Sequence, residues 1–240
     1  MAKRNRKNKA KITDIERERY HGPLITDGVS LVYIKLYPWI GLALSGFMYL
    51  VGSYEDNLGI FKGISLFCGV VNILGVIISF IPYLVNAWKA LIYYLIALTV
   101  LSLVIGLDFI GLLMVISDGS PIGAKEIYQS PLTPFYVILI MFFFIFACGL
   151  YAWYYLPKNQ GKVWAFNQVK EGDRKKTWWN NFAIAFTGAT IIPSLLTGYI
   201  QNAFGILLGI LFTLTLPAVM VDAVYAAIYV KKHPNSDELA

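Results

Sequence analysis

The chain of 240 residues carries few charges for its length, since 58% of its residues are hydrophobic, 14% are charged and the mean hydropathy is +0.61. Soluble domains carry about 25% charged residues, and a soluble fold of this composition would expose large apolar patches. The composition therefore excludes an ordinary soluble domain. It predicts an integral membrane protein, with the lipid bilayer as its first expected partner. The net charge of +6 comes from short basic segments beside apolar runs, as in topology signals, so we expect no nucleic-acid partner.

Residues 1–29 form the first predicted unit, a basic cytoplasmic N-terminal tail. Eight of the 20 lysines and arginines precede residue 20. Each such charge gains about 1 kcal/mol near anionic lipid, so the tail is typical of a topology-setting segment. A short helix over 12–20 that docks a partner is the alternative. The apolar run that follows lacks a small-residue cleavage site, so we expect no cleaved signal peptide.

Six apolar runs follow, each near the ~20 residues that a helix needs to cross a bilayer. They cover about 33–54, 60–83, 90–117, 134–155, 181–200 and 203–230. The predicted fold is therefore all-α, a polytopic bundle of six transmembrane helices over 30–230, followed by a short tail over 231–240. As an alternative, the second and third runs form a re-entrant hairpin through the link at 84–89.

The basic residues predict the orientation of this bundle. With the N-terminus in the cytoplasm, 18 of the 20 lysines and arginines lie on the inner side and only Lys62 and Lys125 lie outside. Such a bias follows the positive-inside rule and predicts that both termini are cytoplasmic. We expect a multi-pass protein of the cell membrane, and the Lys-rich leader with its Ile, Tyr and Asn usage favours a bacterial cytoplasmic membrane.

Residue types that membrane enzymes and metalloproteins need are scarce in the predicted spans. The only histidines, His21 and His233, lie in the tails, whereas haem and zinc sites need histidines at depth. The sequence has no phosphate-binding loop and no Gly-x-Ser-x-Gly elbow. Cys68 and Cys148 lie far apart in apolar runs, unlike paired metal ligands. We expect no metal, no cofactor and no enzymatic activity.

Three polar residues inside the runs are candidates for a functional site. Asp108 lies in the third run and Asp222 in the sixth, and a charge at mid-membrane costs about 2.5–3.5 kcal/mol on insertion scales. A proton or cation pathway would explain that cost. Alternatively, Asp222 reaches inner water or pairs with a cytoplasmic lysine, and Asp108 snorkels toward the outer headgroups. Asn72 in the second run either bonds to another helix or contacts a substrate.

Prolines and glycines of the last two runs suggest two further features. Pro193 and Pro217 each remove a helix hydrogen bond, and paired broken helices can form transporter sites, although a simple kink is the alternative. Gly205 and Gly209 have the spacing that lets helix backbones touch. We expect them to pack within the bundle or against a partner chain.

The largest predicted cytoplasmic connector, 156–180, is basic and aromatic. Its candidate docking residues are Trp164, Arg174, Lys175 and Lys176. They form either an interfacial anchor or a platform for a soluble partner.

Two function classes follow from these features. The first is a non-catalytic accessory or permease-like subunit of a larger, transport-related membrane assembly, which predicts other membrane subunits or self-association. The second is a self-contained small transporter or channel that uses Asp108, Asn72 and the proline-containing runs. An intramembrane enzyme is the third and weakest hypothesis, because the spans lack a nucleophile–base pair.

Overall fold

The computed structural model describes residues 20, 22, 24–25, 28–53, 59–117, 124–159 and 200–233. These residues are helical with connecting turns and contain no strand. A short 3₁₀ helix, Leu31–Lys35, precedes seven α-helices. They are α1 (Tyr37–Gly52), α2 (Ile60–Ser79), α3 (Pro82–Ala87), α4 (Lys89–Ile116), α5 (Ala124–Gln129), α6 (Leu132–Tyr154) and α7 (Ile200–Lys232). The all-α prediction is confirmed for this part of the chain.

Four of these helices, α2, α4, α6 and α7, are long and apolar enough to cross a membrane. The first predicted run is shorter as a helix than expected, because α1 has 16 residues and would rise only about 24 Å. The preceding 3₁₀ helix extends the same run by five residues. The predicted fifth run, with Pro193, lies outside the described residues, as does the connector with Trp164, Arg174, Lys175 and Lys176.

The second run divides where the sequence reads Ile81-Pro82. Proline has no N–H to continue the helical ladder, so α2 ends at Ser79 and Pro82 begins the separate α3. The last helix, in contrast, begins at Ile200 and continues through Pro217 without interruption. Asn202 is therefore helical, and its amide donates to the carbonyls of Val115 and Ser117 at the end of α4.

Small residues let α1 and α2 pack closely as an antiparallel pair. The buried face of α1 includes Gly41 and Ser45, and the facing side of α2 includes Cys68, Asn72 and Gly75. A Cβ built on Gly75 would lie 2.7 Å from Pro38 at the start of α1. Such close approach is how membrane helices gain van der Waals contact where lipid supplies no hydrophobic driving force.

The long helices α4 and α7 form the centre of the bundle and run antiparallel. Gly205 contacts the backbone of Gly111 near the end of α4. From Ala223 onward, 18 positions farther along α7, a hydrophobic cluster joins α7 to the beginning of α4. This cluster contains Ile92, Tyr93, Ile96, Ala97, Val100, Ala223, Ala226, Ala227 and Tyr229, together with Val29 and Ile34 of the N-terminal segment. More of α4 is buried than of any other candidate span, which identifies it as the central helix.

Contacts at the helix ends define two opposite ends of the bundle. The basic end gathers Val29, Lys89, Tyr155, Asp222 and the last turn of α7, where Lys231 lies 5.1 Å from the ring centre of Tyr94. The far end gathers Gly52, Phe61, the last turn of α4, α5 and Asn202. There the Tyr128 hydroxyl of α5 donates to the Gly52 carbonyl and accepts from the Phe61 N–H, so α5 ties α1 to α2.

Candidate functional site

Among the described residues, Asp108 of α4 is the buried carboxylate that lies closest to the middle of the bundle. It lies eight residues before Ile116, which places it about 12 Å from the far end of α4. The residue is 8% exposed. The predicted alternative, a side chain that snorkels to outer headgroups, therefore does not match its burial.

Thr213 of α7 is the hydrogen-bond donor that faces this carboxylate. Its hydroxyl oxygen lies 2.9 Å from Oδ2 and 3.1 Å from Oδ1 of Asp108, so one proton is shared between two acceptors. Thr213 is fully buried. A carboxylate has about four lone-pair sites, and no described residue offers this one a cationic partner or a second donor.

Tyr136 of α6 completes the polar group. Its hydroxyl is seated between α4 and α7, where a Cβ on either Gly111 or Gly209 would overlap the phenol oxygen. Asp108 and Tyr136 line the same cavity. Although Tyr136 is only 3% exposed, its hydroxyl has no hydrogen-bond partner among the described residues. A buried polar atom without a partner costs about 1–3 kcal/mol, so it marks a position where a ligand or water would be stabilised.

A cavity of about 310 Å³ borders this polar group. Asp108 and Tyr136 form part of its wall, and the rest is apolar. The apolar lining comes from α1 and α2 (Met48, Phe61, Ile64), from α4 (Leu101, Val104, Ile105, Phe109, Leu112) and from α6 (Val137, Ile140, Met141, Phe144). The arrangement, an apolar chamber with few convergent polar groups, is the general form of a small-molecule site.

Helices α2 and α6 both contribute to the wall of the cavity. These two helices have no extended contact in the described part of the chain. Met141, on the α6 wall, is 53% exposed. This part of the cavity wall therefore lies at the surface of the described bundle.

Asn72 lies apart from this group, at the α1–α2–α4 junction. Its Nδ2 donates to the Cys68 carbonyl at 2.8 Å and to the Ser102 hydroxyl at 2.6 Å. The bond to Ser102 joins α2 to α4, which is the cross-helix role considered for this residue. Its Oδ1 has no partner among the described residues and faces Gly41, where a Cβ would collide with it.

Asp222 also lies in a separate place, at the basic end. Oδ2 accepts from the Val29 backbone N–H at 2.7 Å and Oδ1 accepts from the Tyr155 hydroxyl at 2.5 Å. The residue is fully buried. It binds the N-terminal segment to α6 and α7, and it is not part of the Asp108 cavity.

Gly205, Gly209 and Pro217 lie on α7 outside the cavity lining. A Cβ on Gly205 would lie 2.6 Å from the Gly111 carbonyl oxygen, so Gly205 contacts α4, whereas Gly209 faces Tyr136 of α6. Pro217 is buried within the helix. Three residues before it, the Leu214 carbonyl accepts a 2.6 Å hydrogen bond from the Tyr151 hydroxyl, which joins α6 to α7.

Sequence reasoning found Asp108 but missed Tyr136 and Gly111 as its neighbours. Tyr136 stands near the beginning of an apolar run, where tyrosines are expected at the lipid interface. The position of Tyr136 in the sequence therefore did not indicate that its side chain faces the interior of the bundle. Gly111 has no second glycine four residues before or after it, so the glycine spacing did not mark it as a helix contact.

Comparisons with protein-family models, with curated proteins and with solved structures found no match for this chain. The site therefore rests on the described contacts alone.

Proposed function

We propose that this protein is a small membrane transport protein in which Asp108 carries an exchangeable proton or cation. The observation that supports the proposal is a buried carboxylate on a cavity wall with one neutral donor, Thr213. Helix contact alone does not require a charge, because serine, threonine or asparagine can supply the hydrogen bonds. An ionisable residue inside a span is by default a functional-site hypothesis.

The proposed architecture is six spans with both termini in the cytoplasm. Asn159 follows the end of α6 at the basic end, whereas Ile200 begins α7 at the far end. A crossing by the predicted fifth run would connect these two ends, and this agreement supports the proposed six spans. The described lysines support the orientation, since Lys35, Lys89, Lys158, Lys231 and Lys232 belong to the basic end.

Proton flux in liposomes tests the proposed role of Asp108. The full chain is reconstituted around a pH-sensitive dye, and a pH gradient is imposed with and without a membrane potential. We expect protein-dependent flux that Asp108→Asn reduces at least tenfold, because the amide keeps the shape but cannot exchange a proton. Glu126→Gln, which removes an exposed carboxylate on α5, is the matched control and should leave the flux unchanged.

Equal flux in the Asp108→Asn protein and the unaltered protein would remove Asp108 from the proposal. If no flux is observed in either protein under any gradient, including gradients of Na⁺ and K⁺, the chain is not a self-contained transporter of small cations.

A subunit of a larger transport-related assembly is the second candidate, and the surface of α6 favours it. Large apolar side chains along its outer face, among them Phe142 and Phe146, are more than half exposed. Gly149 lies in a shallow groove between Phe146 and Trp153. A Cβ on Gly149 would meet no described atom within 4 Å, so a second helix has room to approach. Stable co-purification of other subunits in mild detergent would support this candidate; a chain that purifies alone and transports would reject it.

A further inference from the structure

The size and lining of the Asp108 cavity indicate which class of molecule fits it. Its volume of about 310 Å³ is about twice that of a 150 Å³ engineered apolar cavity that binds benzene. It therefore has room for a ring with a short chain. Phe61, Phe109 and Phe144 are among its walls, and Met48 and Met141 add flexible, polarisable side chains that adapt to irregular shapes.

The polar groups on the cavity wall favour a positively charged ligand over a negatively charged one. Asp108 retains unused acceptor capacity after its contact with Thr213, and the nearby Tyr136 hydroxyl has no partner among the described residues. An ammonium group offers donors for such acceptors. Aromatic ring faces also attract a cation, most strongly when both are desolvated. An anion would meet a carboxylate without a compensating base.

The route into the cavity adds a second requirement. Met141 lines the cavity and is also exposed at the surface of an apolar helix, so in a bilayer a ligand that approaches this wall comes from the lipid. A hydrophilic cation such as a metal ion would have to cross hydrocarbon at a high desolvation cost. A neutral amine dissolves in lipid and gains its charge on protonation.

We propose that this cavity binds a lipophilic organic amine, with its ammonium group against the Asp108 carboxylate and its hydrocarbon part against the aromatic walls. The inference deepens the proposed function by naming a substrate class, and it rests on that function for the claim that the bound amine is moved. The ion pair forms either from an ammonium ion and the carboxylate or by transfer of the proton of a neutral Asp108 carboxyl to a neutral amine. The two routes give the same charges and the same atoms.

A matched pair of probes tests the binding step in the full chain, purified in lipid nanodiscs. The probes are radiolabelled 2-phenylethylamine and 2-phenylethanol, which have nearly the same shape and differ in the group that becomes charged. We expect the unaltered protein to bind the amine at least tenfold more tightly than the alcohol. Asp108→Asn should remove that preference, so that the amine and the alcohol bind with similar affinity.

Filling the cavity tests whether the probes bind there. Ile105→Trp places a larger side chain on the α4 wall without changing Asp108, and it should abolish binding of both probes. If that variant does not elute as a single species in size-exclusion chromatography, Ile64→Phe on the α2 wall serves the same purpose. Unchanged amine binding in a folded, cavity-filled variant would place the amine elsewhere and overturn the inference.

Three other results would also overturn it. They are equal affinity for amine and alcohol, amine binding that survives Asp108→Asn, and a co-purified lipid chain in the cavity that saturating amine does not displace. These results do not depend on transport. Proton flux without amine selectivity would reject the amine class and retain the proposed function; selective amine binding without any flux would retain the site and reject the transport function.

Discussion

The Tyr155 hydroxyl, one residue beyond α6, donates a 2.5 Å hydrogen bond to Oδ1 of Asp222 on α7. The other oxygen of this carboxylate accepts from the Val29 N–H. Tyr20 and Tyr225 lie against the Tyr155 ring, with centroid distances of 5.4 Å and 4.5 Å. A fully buried carboxylate thus joins Val29, the end of α6 and the last third of α7.

Replacing Tyr155 with phenylalanine should loosen the N-terminal segment and retain the ring contacts. The change removes one hydrogen bond to the buried carboxylate of Asp222. Loss of a hydrogen bond to such a group typically lowers the free energy of unfolding by about 1.5–3 kcal/mol. We expect faster amide hydrogen exchange around Val29 and a lower melting temperature. Tyr83→Phe, at a tyrosine that is 80% exposed on α3, should change neither. Unchanged exchange at Val29 would show that the Tyr155 hydroxyl does not hold this segment in place.

Alanine at Gly205 or Gly209 should separate α7 from its neighbours. At Gly205 the new Cβ meets the Gly111 backbone, which cannot rotate away, and at Gly209 it meets the Tyr136 hydroxyl. We expect each variant to lose about 1–3 kcal/mol of its free energy of unfolding, as other overpacked cores do. Reversible unfolding in mixed SDS micelles would measure it. Gly46→Ala is the control, because no described atom lies within 4 Å of the new Cβ. Equal stability of all three variants would contradict close helix contact at Gly205 and Gly209.

Two threonines of α7 offer a matched test of the Asp108 contact. Thr213→Val removes the hydroxyl that faces the carboxylate, so we expect a loss of about 1.5–3 kcal/mol of stability. Thr215→Val removes an exposed hydroxyl bonded only to the Leu211 carbonyl of its own helix, and it should change the stability by no more than about 0.5 kcal/mol. The same unfolding assay applies, and a Thr215→Val effect as large as that of Thr213→Val would refute a specific role for Thr213.

Thiol labelling of single-cysteine variants tests the orientation. After Cys68 and Cys148 are replaced, cysteine at Glu126 or Gln201 should react with an impermeant reagent added outside intact cells. Cysteine at Lys89 or Lys232 should react only after the cells are opened, because both belong to the basic end. Reaction of position 89 in intact cells would contradict the six-span arrangement.

Composition and local pattern were enough to predict that the described part of the chain is helical and that four of its helices are long and apolar enough to cross a membrane. A run of about 20 apolar residues has few alternatives in lipid, because every backbone N–H and C=O must be satisfied within the segment. The same local logic applies at Ile81-Pro82, where proline divides the second run into α2 and α3. The two buried aspartates were also visible in the sequence, since a carboxylate among apolar residues is rare.

Tertiary structure decided where those aspartates lie and what they contact. Asp108 and Thr213 are 105 positions apart, and Asp222 and Tyr155 are 67 apart. Hydrophobic periodicity carries no information about which faces of α4, α6 and α7 meet, since lipid and protein interior are nearly equally apolar. The antiparallel register of α4 and α7, permitted by the contact of Gly205 with Gly111, brings one carboxylate to a cavity wall. At the basic end the other carboxylate accepts hydrogen bonds from Val29 and Tyr155, and only the packed chain separates these two surroundings.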